Sequence, residues 1–115
     1  LFYSDKDAIT EDGSVHFNAL LKASWSPETM LAANYLTHFN VIRRSLLDTI
    51  GGWDPSTDGA QDWDLFLRLA AAGARIRHVP KMLYHWRHVQ TSVAAGGLAV
   101  KPYAARGQLL TLDRW

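Results

Sequence analysis

Apolar and polar positions alternate in short runs at the start of this chain and settle into a helical period in its middle. Leu1-Phe2-Tyr3-Ser4 is an apolar run that ends abruptly in Asp5-Lys6-Asp7, the pattern of a strand delivering two carboxylates to a sheet edge. A polar turn, Thr10-Glu11-Asp12-Gly13, leads to a short strand over residues 15–21. Ser26-Pro27-Glu28 starts a helix: Ser can cap it, and Pro occupies the first helical position, where its missing N–H costs nothing. That helix ends near Asn34-Tyr35. Residues 38–42 then read as a strand, residues 43–50 as a helix closed by Gly51 and Gly52, and residues 53–60 as a loop.

The strongest helix covers residues 61–72, with Gly73 as its C-terminal cap. At 100° per residue, Trp63, Phe66, Leu67 and Ala70 form its apolar stripe, and Asp64 and Arg68 share the polar side as an i, i+4 pair. Asp62 falls elsewhere, in the first turn between Phe66 and Leu69, where it meets the positive end of the helix dipole. Two short strands, residues 75–79 and 82–86, are split by Pro80. After a loose Ala94-Ala95-Gly96-Gly97 segment the tail, residues 101–115, is helical. Strands interleaved with helices make this an α/β chain.

The length of 115 residues suits one domain, and 48% apolar with 20% charged residues is the composition of a folded chain with a core, which argues against disorder. The chain has no Cys, which excludes disulfides and thiolate chemistry within it. No apolar run approaches the ~18 residues that a membrane span needs. The net charge of +1 conceals an asymmetry: residues 1–64 carry ten acids and four bases, and residues 65–112 carry seven bases and no acid. An acidic, metal-binding edge and a basic, phosphate-facing segment could meet at one site, or the two halves could be solvated faces of opposite sign. The bases are dispersed and form no nucleic-acid module.

Three constellations carry candidate chemistry. Asp5-Lys6-Asp7 offers hard oxygen ligands for a divalent cation, although Asp is also common in turns that leave strands. Gly59-Ala60-Gln61-Asp62-Trp63-Asp64 places carboxylates at a helix start, where capping alone could account for them. Leu83-Tyr84-His85-Trp86-Arg87-His88 presents an imidazole, a guanidinium and a second imidazole at a strand end. A haloacid-dehalogenase-type phosphatase also places Asp-x-Asp after an apolar strand, but residue 9 is Ile and no acid pair follows between residues 65 and 112.

Taken together, these segments resemble the family 2 glycosyltransferases. The resemblance lies in Tyr3-Ser4-Asp5-Lys6-Asp7, in Lys22-Ala23-Ser24-Trp25-Ser26-Pro27 with Asn34-Tyr35, and in Arg43-Arg44-Ser45-Leu46-Leu47. It continues through Gly51-Gly52-Trp53-Asp54, Gln61-Asp62-Trp63-Asp64-Leu65-Phe66-Leu67-Arg68, and Val79-Pro80-Lys81-Met82-Leu83-Tyr84-His85-Trp86-Arg87. Order and spacing agree over residues 3–92.

The resemblance implies a fragment of a nucleotide-diphosphosugar transferase fold, with a mixed sheet flanked by helices. Residues 1–115 would be a single partial domain, the acceptor-side, C-terminal portion of a catalytic domain whose nucleotide-binding half precedes Leu1. It also implies inverting, metal-dependent transfer of a sugar from a nucleotide-diphosphate sugar to an acceptor hydroxyl, the isolated fragment being inactive. A divalent cation, Mn or Mg, would be held by Asp7, with Asp5 and His85 as further ligands. Asp62, in the position of the family's Glu-Asp pair, would be the general base, with Gln61 replacing the Glu. Arg87 would meet the diphosphate, and Trp86 and Asp64 would contact substrate; Trp53 and Trp63 are further stacking candidates, Trp63 being equally suited to the core. Lys6 stands where many relatives carry an acid and should point away from Asp5 and Asp7. The implied partners are the sugar donor and a glycan, lipid-linked or protein acceptor, with a homodimer through an edge exposed by truncation. The implied location is cytoplasmic, extending to the cytoplasmic membrane face. A non-catalytic sugar-binding or scaffold module of the same fold is the alternative.

Overall fold

The computed structural model describes residues 1–89 and 102–115. Strands β1 (Phe2–Ile9), β2 (His16–Leu20), β3 (Asn40–Val41) and β4 (Arg77–Arg87) form one mixed sheet. Helices α1 (Pro27–Ala32), α2 (Arg44–Ile50), α3 (Gln61–Ala71) and α4 (Pro102–Arg114) accompany it, with a 3-10 turn at Pro55–Thr57. β4 runs parallel to β1 along its whole length, and β3 and then β2 pair antiparallel with the start and end of β1. The α/β class is as the residue pattern predicts, and the mixed sheet is as the family resemblance implies.

β1 does not stop at Ser4. It is the central strand, paired on both sides, and its hydrogen-bonded neighbours carry Asp5 and Asp7 within the sheet rather than to an edge. Local turn propensity of Asp yields here to tertiary pairing. β4 likewise continues through Pro80. Ser4 pairs with Val79 and Asp5 with Met82, so Pro80 and Lys81 bulge out of register, where the absent proline N–H breaks no ladder bond. Among the described residues β4 on one side and β2 and β3 on the other form the edges of the sheet, so neither edge is the Asp-x-Asp strand. Residues 38–42 contribute only the two-residue β3, because Phe39 has left-handed backbone (φ 65°). The Ala94–Gly97 segment lies outside the described residues.

Helix starts and stops follow local chemistry. The Ser26 hydroxyl accepts from the Thr29 amide and Pro27 opens α1, which ends at Ala32, earlier than its sequence pattern implies. Gly51, in the left-handed region, closes α2. α3 buries Trp63, Leu65, Phe66, Leu67 and Leu69 against Tyr3, Met30 and Leu36, and the Trp63 indole donates to the Met30 carbonyl at 2.8 Å, so this tryptophan is core. Asp64 departs from its predicted polar face: it is only 2% exposed.

Gly59 positions the loop before α3 against α4. Its φ is +86°, and a methyl group there would lie 2.7 Å from the Ala104 Cα. Gly59→Ala is expected to destabilise the fold by about 1–3 kcal/mol through strain and overpacking, read as a lowered urea midpoint.

Candidate active site

The register Asp7↔His85 across β1 and β4, with Ile9↔His16 across the hairpin, brings three ligand-bearing side chains together. Asp7 Oδ1 lies 2.6 Å from His85 Nδ1, and Asp7 Oδ2 lies 2.8 Å from His16 Nδ1. Their candidate ligand atoms all lie within 4.8 Å of one another. Asp7 is buried beneath the two exposed rings, which meet edge to face with centroids 4.9 Å apart. The His16 hydrogen bond holds the Asp7 carboxyl below its ordinary value against the opposing effect of burial, and His85 acts in the same sense. An ionised carboxylate only accepts, so each imidazole donates from Nδ1. One carboxylate and two imidazoles form a donor set that fits a divalent cation.

Asp5 is not part of this cluster. Its Oδ1 accepts the Lys22 amide at 2.8 Å and faces His78 Nε2 at 2.7 Å, and His78 stacks on Tyr3 with centroids 5.0 Å apart. Asp5 thus ties the segment after β2 to β1 and β4.

Lys6 points to the other face, as period-two alternation predicts. Its ammonium sits 5.7 Å from the Trp86 ring centroid and 3.3 Å from His38 Nδ1. His38 stacks on both Tyr84 and Trp86. Burial and then the Lys6 charge push the His38 imidazole below its ordinary value, while Asp62 pulls the other way. A neutral His38 can accept from Lys6, and Asp62 lies within electrostatic range of this ring stack. Asp62 is half-buried, and its Oδ1 accepts the Trp63 amide at 2.8 Å.

Two predicted substrate contacts have structural partners. Arg87 donates to the Glu11 carbonyl at 2.6 Å and the Thr10 carbonyl at 3.5 Å, bracing the β1–β2 turn. Asp64 Oδ2 accepts from Arg68 Nε at 2.7 Å and Asp64 Oδ1 lies 3.7 Å from Arg114, while Arg68 also donates to the Ile50 and Gly52 carbonyls. Trp53 is 60% exposed and lines a cleft of about 500 Å³ with Leu47, Asp48, Gly51 and Gly52.

His16, His38 and His78 stand in no catalytic motif of the sequence, and Lys22 stands in one without an assigned role. The Thr10–Gly13 turn sets the hairpin register that places His16 beside Asp7. Lys22 is buried, donates to the Leu36 and His38 carbonyls, and has its ammonium pushed down to about 8, mainly by burial. A lowered folded value means that the unfolded chain binds the extra proton between about 8 and the ordinary 10.5. Stability should therefore rise with pH across that window. This rise should be absent in Lys22→Met, which denaturant titrations at pH 7.5 to 10.5 would read.

The sequence model for the family described as "Glycosyltransferase like family 2" matches residues 2–103. The chain belongs to that family. This glycosyltransferase-like chain is 39% identical over 98 residues to the O-antigen biosynthesis protein RfbC of Myxococcus xanthus, covering 84% of the chain and 8% of that protein. It is 35% identical over 106 residues to the uncharacterized protein y4gI of Sinorhizobium fredii (strain NBRC 101917 / NGR234), covering 90% of the chain and 11% of that protein. The chain spans about a tenth of the length of these relatives. Membership in this family removes the haloacid-dehalogenase-type phosphatase from consideration.

Proposed function

We propose that residues 1–115 form the acceptor side of an inverting, metal-dependent transferase that moves a sugar from a nucleoside-diphosphate sugar to an acceptor hydroxyl. The observation that carries this reading is the convergence of Asp7 and His85 at one point of a family 2 glycosyltransferase sheet. Asp7 and His85 would hold the divalent ion, which when bound supplies charge that stabilises the leaving diphosphate. Asp62 accepts the proton of the acceptor hydroxyl as that oxygen attacks the anomeric carbon and the sugar–phosphate bond breaks. Its Oδ1 is oriented by the Trp63 amide, which leaves Oδ2 to face the hydroxyl. The half-buried ring of Trp86, stacked with His38 on the Lys6 face of the sheet and near Asp62, offers a flat face for the acceptor sugar, with the ion at Asp7 and His85 assigned to the opposite face.

A glycan acceptor is supported by the O-antigen biosynthesis role of the Myxococcus relative. The activity is proposed for the full-length protein that carries this chain. Asp62→Asn keeps the side-chain shape and removes the base, so transfer should fall by about 10²- to 10⁴-fold with metal affinity unchanged. Nucleoside-diphosphate release assayed with sugar donor and acceptor checks this. Unchanged turnover would remove Asp62 from the reaction.

A further inference from the structure

His16 has no part in the transfer chemistry above, yet it is held at Asp7 by a rigid hairpin. Asp12 Oδ1 accepts from the Thr10 hydroxyl, the Ser14 amide and the Ser14 hydroxyl, and the Thr10 amide donates to the Val15 carbonyl at 3.0 Å. Opposite Asp7, the β2 ladder slips by one residue between Ala8↔Phe17 and Lys6↔Leu20, where Asn18 takes a left-handed φ of 51°. The slip lies beside the pair Ile9↔His16, whose ring reaches over the Asp7 carboxylate.

We infer that His16 is a third metal ligand, and that with Asp7 and His85 it makes a two-imidazole, one-carboxylate site selective for later first-row ions such as Co²⁺ and Zn²⁺ over Mg²⁺. The inference rests on the proposed function in one respect, that a divalent ion sits at Asp7. Mg²⁺ prefers an octahedron of oxygens and gives up water reluctantly, whereas imidazole nitrogen suits the later first-row ions. Both imidazole side chains are well exposed (56% and 44%) over a fixed Asp7 at 8%, so small ring rotations suffice to share one ion without moving the core. Each ring then carries its proton on Nε2. Three protein ligands leave further coordination positions for diphosphate oxygens.

The test titrates Co²⁺, Zn²⁺ and Mg²⁺, each as the metal alone, into the unmodified chain by calorimetry. Co²⁺ and Zn²⁺ should bind at least ~100-fold more tightly than Mg²⁺, and His16→Asn should weaken Co²⁺ and Zn²⁺ by about 10- to 100-fold with Mg²⁺ unaffected. In the unmodified protein, saturating Zn²⁺ should shift the ¹⁵N Nδ1 resonances of His16 and His85 together and leave His78 in place. This readout does not depend on any variant folding. A stationary His16 Nδ1, equal Co²⁺ affinity in His16→Asn, or no ion binding at all would overturn the three-ligand site. If instead Asp7→Asn binds every ion as the unmodified chain does, the metal reading at Asp7 itself fails. The transferase reading is tested apart from both, through Asp62.

Discussion

Asp7→Asn should abolish tight divalent-metal binding and lower sugar transfer by about 10²- to 10³-fold, the rate equivalent of the several kcal/mol that a metal ion contributes to transition-state charge. The substitution preserves shape inside β1, so near-UV circular dichroism should be unchanged. What it removes is the one negative charge lying between the His16 and His85 rings. The same variant carries a pH signature. Because those hydrogen bonds lower the folded Asp7 value, its contribution to stability is present above its ordinary value of 3.8 and is lost as pH falls through the lowered one. Acid unfolding of Asp7→Asn should lack that component. Metal affinity within a factor of about two of the unmodified protein would contradict the assignment of Asp7 as the principal ligand; a tenfold change corresponds to only about 1.4 kcal/mol.

Asp64→Ala should destabilise the fold by about 3 kcal/mol, the lower end of the cost of removing one partner from a buried ion pair. The lower end applies because Arg68 and Arg114 keep side-chain exposures of 28% and 41%, so water partly solvates the orphaned guanidinium groups. Arg68 does more than pair with Asp64. Its other nitrogens hold the Ile50 and Gly52 carbonyls at the C-terminal end of α2, so losing its anchor should loosen the α2–α3 junction. For a chain of this size the loss corresponds to a melting temperature lower by about 12 °C. Paired measurements on Asp64→Ala, Arg68→Ala and the double variant should give a coupling of about 1–3 kcal/mol. A single-variant cost below about 1 kcal/mol would show that Asp64 is free to serve elsewhere, as its sequence position suggests.

Much of the architecture is legible from the chain because it depends on local rules. The 3.6-residue stripe of Trp63, Phe66 and Leu67, the Ser26-Pro27 start and the Gly51 stop each act within a turn or two of sequence. The extent of β1 and β4 is not local. Asp5 and Asp7 stay in a strand because β4, some 75 residues away, pairs with them, and Pro80 is tolerated because its neighbours bulge. Asp64 misleads for the same reason: Arg114 arrives from α4 and buries what helical periodicity assigns to the polar side. At the site, Asp7 and His85 are legible as motif residues, and the structure joins them. Asp5 and Arg87 are equally legible as motif residues, but Asp5 is engaged by Lys22 and His78, and Arg87 by the hairpin carbonyls. His16 carries no motif, and only hairpin register reveals it.

Metal-dependent sugar transfer with the metal at Asp7 is decided by nucleoside-diphosphate release from the full-length protein, supplied with nucleotide sugar and a glycan acceptor, before and after chelation and with Asp7→Asn in parallel. Chelation should abolish turnover and added Mn²⁺ should restore it, and Asp7→Asn should run at least ~100-fold slower under all conditions. Turnover indifferent to chelation and to Asp7→Asn would contradict metal-dependent transfer.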